Sequence, residues 1–518
     1  MSEAPTGGGD PAAGATPEST PGAAPDPPVH AGPEDILRTP EAGGRVIRGS
    51  VWRLIGNLAG IALGVVTAGM LLHHLGVANS GRYVTVLSLV SISSAVADLG
   101  INLTSSRDLA WRHPDQRRAL IANVLGLRLM IMPPAILLLV GFALVAGYPR
   151  EMVIGTLLAG FGSLLLSASQ SFLARLTVEL RQAGWAVIDF LRQAVTLVCV
   201  AILVALGASL TPFFAVLIVT GLVVLAAIPV VAGRDSLVWP RFDRSEQRRL
   251  VRTALPMAIA LALGEVYFRL VIVLMSLIST SQQTGYFGGS VRALQSLIEL
   301  PTLIAAIALP LLATAAREDR TRLRYAVGGL GQGAVIAGVL LVLVTIRVAE
   351  PVMVIIGGEA FRPAGDVLRI QVGALVFIML YQIWGASLLA LDRQRELIFT
   401  NSFALAGLAL FAALLIPHYG AEGGAAASVM GDALLAGLIY WRLQRATGHV
   451  MVPAPFLVRV AIAAAAACGV LLISALPDFA AAALAGVVFL GIGQLVGMIP
   501  PEVHAAFSPR RLLEGIKH

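Results

Sequence analysis

The sequence predicts an all-α polytopic membrane protein with about fourteen spanning helices. Three observations predict it. Of 518 residues, 57% are hydrophobic and only 13% charged, with mean hydropathy +0.83. Apolar runs longer than about 18 residues recur along nearly the whole chain. Those runs are continuous rather than alternating, so helices, not a closed barrel, satisfy the backbone in lipid.

Residues 1–44, rich in Pro, Gly and Ala, cannot bury enough apolar surface to offset their ordering entropy. They read as a disordered tail and lack the charged start and apolar core of a secretory signal. The spans follow at 49–73, 83–104, 120–147, 152–177, 184–207, 210–232, 253–279, 286–314, 326–347, 366–390, 397–416, 421–443, 457–476 and 479–499. The segment "AEPVMVIIGGEAFRPAG" is the longest loop on its side, with an apolar patch suited to the interface. Cys199 and Cys468 lie in apolar runs without metal-ligand spacing and act as small hydrophobes.

Arginine placement tests this span count. With the N-terminal tail in the cytoplasm, most of the 37 Lys and Arg residues fall in cytoplasmic connections. "RDLAWRHPDQRR", "GRDSLVWPRFDRSEQRRLVR" and "REDRTRLR" are such connections, whereas "STSQQTG" and "PHYGAEGG" on the other side carry none. The positive-inside rule therefore supports fourteen spans with both ends cytoplasmic. The basic balance orients the chain against a bilayer and does not indicate nucleic acid.

The chain also reads as duplicated. "HHLGVANSGRYVTVLSLV" follows the first span and "ISTSQQTGYFGGSVRALQ" the seventh, placing Gly81 with Tyr83 against Gly285 with Tyr286. Parallel repeats in transporters hold the substrate between the halves. The expected domains are a tail (1–44), a first six-helix bundle (45–233), a basic linker (234–252) and a second bundle (253–445). Two extra helices with a second tail (446–518) complete the chain.

The stretch from "GSVWRLIGNLAG" to "AVADLGINLTSSRDLA", the segment "ALPMAIALALGEVYFRLVIVLMSL" and "LIPHYGAEGGAAASVMGDAL" resemble a known family over roughly residues 45–445. It is the polysaccharide transporters, O-antigen flippase-like proteins of the multidrug/oligosaccharidyl-lipid/polysaccharide (MOP) exporter superfamily. Where that family often has an acid shortly after the arginine of its seventh span, this chain has Val271. The resemblance implies two six-helix bundles around a central cavity and alternating access. It implies an undecaprenyl-pyrophosphate-linked oligosaccharide as substrate, moved from the inner to the outer leaflet of the plasma membrane. The expected partners are that lipid-linked oligosaccharide, membrane lipid and polysaccharide-synthesis enzymes. No cofactor, metal or catalytic residue is implied. A drug or organic-cation exporter of the same superfamily, a membrane enzyme and a non-transporting scaffold are the other readings. An enzyme would normally need a large external loop bearing acids and arginines, or an acidic diphosphate-binding loop, and the sequence shows neither.

Charges inside spans are expensive and are functional candidates unless paired locally. Glu265 and Arg269, four apart, and Asp189 and Arg192, three apart, suit pairing along one helix. Arg53 lies near enough to a span end to snorkel. Arg128 lies about 13 Å into the third span with no acid within a turn, and a guanidinium fork suits phosphate oxygens. Arg128, Arg292, Arg269 and Arg53 are thus the expected substrate-binding residues. Interhelical pairing is the alternative for Arg128. Asp98, Glu299 and Glu265 are the expected ion-coupling acids, because a carboxylate in a low-dielectric cavity can carry a proton or cation. The repeat offset places Glu299 opposite Ala95, one turn from Asp98. The alternative pairs Glu299 with Arg292. Asp432, in a small-residue helix, reads as structural.

Overall fold

The structure, a computed structural model, describes residues 40–98, 114–178, 182–233, 237–318, 320–448, 452–473 and 476–498. The expected N-terminal tail before residue 40 and most of the "RDLAWRHPDQRR" loop lie outside them, as do the side chains of Arg53 and Glu299. The described residues form thirteen α-helices and one 3-10 turn. In order they are α1 (Pro40–Asp98), α2 (Pro114–Val145), α3 (Arg150–Val178), α4 (Gln182–Ala205), α5 (Leu210–Ala232), α6 (Arg244–Ile278) and α7 (Ser281–Glu318). Then come α8 (Arg320–Gly357), α9 (Ala364–Gln371), α10 (Ala374–Ala390), α11 (Gln394–Thr447), α12 (Ala454–Leu471) and α13 (Asp478–Leu495).

This set reproduces the predicted spans once two helices are divided. At 59 and 54 residues, α1 and α11 far exceed the 20 or so that cross a bilayer. Each bends at one glycine with a backbone other residues rarely adopt: Gly76 (φ 68) and Gly420 (φ 54). At the second bend the Ala421 amide, freed from the helix ladder, donates to Gln283 Oε1 at 2.9 Å. The short α9 and α10 together make a single span. Eleven helices are long and apolar enough to cross a membrane among the described residues.

Two loops differ from expectation. The segment read as an interfacial patch instead continues α8 to Gly357 and turns through Glu359–Phe361. Met353 and Phe361 are fully buried there, so its apolar residues serve the protein core. Arg362 closes the turn on Glu350 at 2.6 Å and Glu359 at 2.7 Å. The basic linker is only partly a linker, because α6 begins at Arg244. Asp243 caps that helix, accepting from the Ser245 amide at 2.9 Å and the Ser245 hydroxyl at 2.6 Å. These bonds to the charged form hold its carboxyl below the usual range. The Arg241 amide donates to the Ala122 carbonyl at 2.9 Å, pinning the linker to α2.

Among the described residues, the first half has two larger cores and a small one around Met132 and Leu164. Phe213, Phe214, Val86 and Val90 fill one of the larger cores; Leu120, Leu127, Leu176 and Ile228 fill the other. The second half packs around Met275, Phe287, Trp384 and Leu408. The last two helices dock on α8, with Phe456 and Phe489 against Val335 and Leu343. An Arg347–Asp478 ion pair at 2.9 Å ties α8 to α13.

The halves meet at the end of the bundle where α1 bends and α7 begins. A Cβ on Gly81 would lie 2.2 Å from the Ser281 carbonyl oxygen and 2.7 Å from the Gly285 nitrogen. A Cβ on Gly285 would lie 2.0 Å from the Val77 carbonyl oxygen. The two glycines that mark the sequence repeat therefore pack backbone to backbone. Leu72 and Val84 reach across them into the cores of the second half. Close approach of this kind maximises dispersion where lipid removes the hydrophobic drive.

Candidate functional site

A cavity of about 410 Å³ lies between α1, α4, α7 and α8. Its polar lining is Asp189, Arg192, Gln193, Arg292, Gln295 and Ser296. Two elements deliver it. On α7, Arg292, Gln295 and Ser296 are spaced by three and four and share one face; on α4, Asp189, Arg192 and Gln193 do nearly the same. Gly60 and Gly64 of α1 complete the wall. A second cavity shares Val65 and Ile356 with the first and reaches His73 and His74.

Arg292 is half-buried and has no ion-pair partner among the described residues. Its electrostatic neighbours are the Tyr83 phenol and the Arg269 guanidinium. Tyr83 stacks on Phe214, ring centroids 5.3 Å apart. Arg192 binds Asp189 at 2.7 Å yet keeps 39% of its side chain exposed. Among the described residues, then, the central cavity carries one arginine that is paired and one that is not.

The other sequence candidates lie elsewhere. Arg269 binds Glu265 at 2.9 Å, along one helix as the spacing implies. Arg128, expected deep and without a partner within a turn, is fully buried and binds Asp98 across from α2 to α1. It also donates to the Ser167 carbonyl and, at 3.0 Å, to Ser171 Oγ. That interhelical pairing leaves Arg128 no surface on the central cavity, and Asp98 already faces a cation. Asp432 is buried and accepts a hydrogen bond from the Tyr267 hydroxyl at 2.9 Å. Arg53 and Glu299 lie outside the described side chains, so the quasi-symmetric placement of Glu299 stands as an expectation.

Burial of the Arg128–Asp98 pair has a measurable consequence. Removing one partner of a buried pair strands the other and costs about 3–5 kcal/mol. Arg128→Met is expected to lower the thermal midpoint of the purified protein sharply, and Asp98→Asn less, because Asp98 keeps 29% of its side chain exposed. The double variant should recover part of the loss. Equal, additive effects in a double-mutant cycle would show that the pair does not couple α1 to α2.

Sequence reasoning did not select Gln193, Gln295 or Ser296. The signal was present on α7, where two polar residues follow Arg292 on its own face. Asp189 and Arg192 were assigned to each other alone, though both also line the cavity. Among the described residues, no group of three His, Cys, Asp or Glu side chains is placed to hold a metal ion.

The family described as polysaccharide biosynthesis protein matches residues 46–316. The chain belongs to that family. No curated protein matches it. Among solved structures it is similar to the lipid II flippase MurJ in an inward closed conformation, with TM-score 0.72 and 11% identity, covering 86% of this chain and 98% of that one. It is also similar to an inward-facing multidrug resistance MATE family transporter of the MOP superfamily, with TM-score 0.61 and 14% identity, covering 75% and 94%. A MOP superfamily transporter from Pyrococcus furiosus gives TM-score 0.54 and 15% identity, covering 80% and 97%. The chain is a multi-span membrane protein of the polysaccharide biosynthesis family with the MOP transporter fold.

Proposed function

We propose that this protein is a flippase-type transporter that moves a lipid-linked oligosaccharide, carried on a polyprenyl diphosphate, across the plasma membrane by alternating access. One observation carries the reading: Arg292, which has no ion-pair partner among the described residues, lines a cavity between the two halves. A guanidinium in a low-dielectric site suits the oxygens of a diphosphate, and it repels an organic cation. Family membership agrees with a polysaccharide precursor as cargo. With the basic connections in the cytoplasm, both termini are cytoplasmic and the Gly81–Gly285 contact closes the external end. Coupling through Asp98 or Glu265 requires each to release its arginine during the cycle. The domain division into two six-helix bundles and an appended pair follows the same reading, as does recruitment by polysaccharide-synthesis enzymes.

The test is translocation in proteoliposomes. A fluorescent polyprenyl-pyrophosphate-linked saccharide on one leaflet is expected to become accessible on the other only with protein present. Equal leaflet distributions with and without protein, alongside active uptake of an organic cation, would assign the protein to the exporter reading.

A further inference from the structure

Beside the arginine cavity lies another, of about 590 Å³, lined within the first half by α1, α3, α4 and α5. The two share Asp189 and Arg192, so that ion pair is their common wall. Their chemistry differs. Each carboxylate facing the second cavity has its own arginine: Asp98 has Arg128, and Asp189 has Arg192. Charge there is balanced pair by pair. The carboxylates nevertheless keep surface, 29% for Asp98 and 24% for Asp189. Three of its four lining serines spend their hydroxyl protons on their own helices. Ser94 donates to Val90, Ser163 to Gly160 and Ser169 to Leu166, and their oxygens remain acceptors. Gln170 lines the cavity with no hydrogen-bond partner among the described residues, and Trp185 adds an indole.

A neutral, acceptor-rich cavity with an aromatic side chain calls for a neutral ligand rich in hydroxyl donors and with an apolar C–H face. We infer that this cavity is the saccharide subsite: a pyranose hydrogen-bonds to Gln170 and the carboxylates and packs on Trp185. The inference rests on the flippase reading and deepens it. The shared wall then separates the two chemistries of one substrate, with sugar on the balanced side and diphosphate beside Arg292. The volume falls within the range that holds small ligands, and the indole combines apolar area with a polar edge.

The experiment measures binding of two probes to the full-length protein in nanodiscs. One is polyprenyl pyrophosphate; the other is the same lipid bearing a single N-acetylhexosamine. Wild type is expected to bind the sugar-bearing probe more tightly. Gln170→Ala and Trp185→Ala should each weaken that probe about tenfold, the size of one lost hydrogen-bonded or stacked contact, and leave the bare lipid unchanged. Trp185→Phe should recover most of the loss and guards against misfolding of the alanine variant. Arg292→Ala should weaken both probes alike. If the alanine variants weaken both probes equally, or wild type does not distinguish them, the saccharide subsite is overturned while the flippase reading stands. If neither probe binds wild type, both fall. Tetraphenylphosphonium competing through Trp185 would make this a cation pocket and overturn the inference.

Discussion

Arg292→Ala is expected to reduce translocation of the lipid-linked saccharide by about one to two orders of magnitude. Hydrogen bonds to a charged partner contribute about 1.5–3 kcal/mol each, and Arg292 has no protein carboxylate to share that role among the described residues. Because it closes no ion pair among the described residues, its removal should leave the thermal midpoint nearly unchanged. Loss of transport without loss of stability is therefore the signature. Arg292→Lys keeps the charge but not the fork and should retain part of the activity. Arg192→Ala is a poorer probe, because it also strands Asp189. Wild-type rates in Arg292→Ala at saturating and limiting substrate would remove it from the binding site.

Gly285→Leu is expected to prevent the α1–α7 end from closing. Even a Cβ at this position would lie 2.0 Å from the Val77 carbonyl oxygen, and backbone cannot rotate aside as a side chain can. The helices must separate. Overpacking of this kind costs about 1–3 kcal/mol or more, and a bias of that size shifts a two-state equilibrium about five- to 150-fold. Spin labels at Ala78 and Gln282, on the two sides of the contact, should report a longer distance and a depleted short-distance population. Transport should fall with it, since a transporter held open at one end cannot complete its cycle. Gly81→Leu meets the Ser281 carbonyl oxygen at 2.2 Å and should behave the same way. An unchanged distance distribution in both variants would mean that the contact is no gate.

The residues differ in how far their sequence neighbourhood revealed them. Glu265–Arg269 and Asp189–Arg192 were legible because a helix brings positions three and four apart together without help from the rest of the fold. Asp98 and Arg128 are 30 residues apart on different helices, and their pairing depends on how α1 docks on α2 and α3. Gly81 and Gly285 were recognisable as repeat equivalents, but equivalence in sequence does not imply contact. Their direct packing depends on how α1 docks against α7, which sets both on the facing surfaces.

By itself, the sequence determined that this is a helical, multi-span membrane protein and which family it resembles. Those features follow from local rules: a bilayer requires about 20 apolar residues per span, and its backbone must be satisfied within each helix. Only the tertiary structure decided which buried charges face one another and which face a cavity. Arg128 and Arg292 look alike along the chain. In the fold one is enclosed against Asp98 and the other stands in the space between the halves. The reason is physical: the free energy of a buried charge depends on the groups around it, and helices distant in sequence supply most of them.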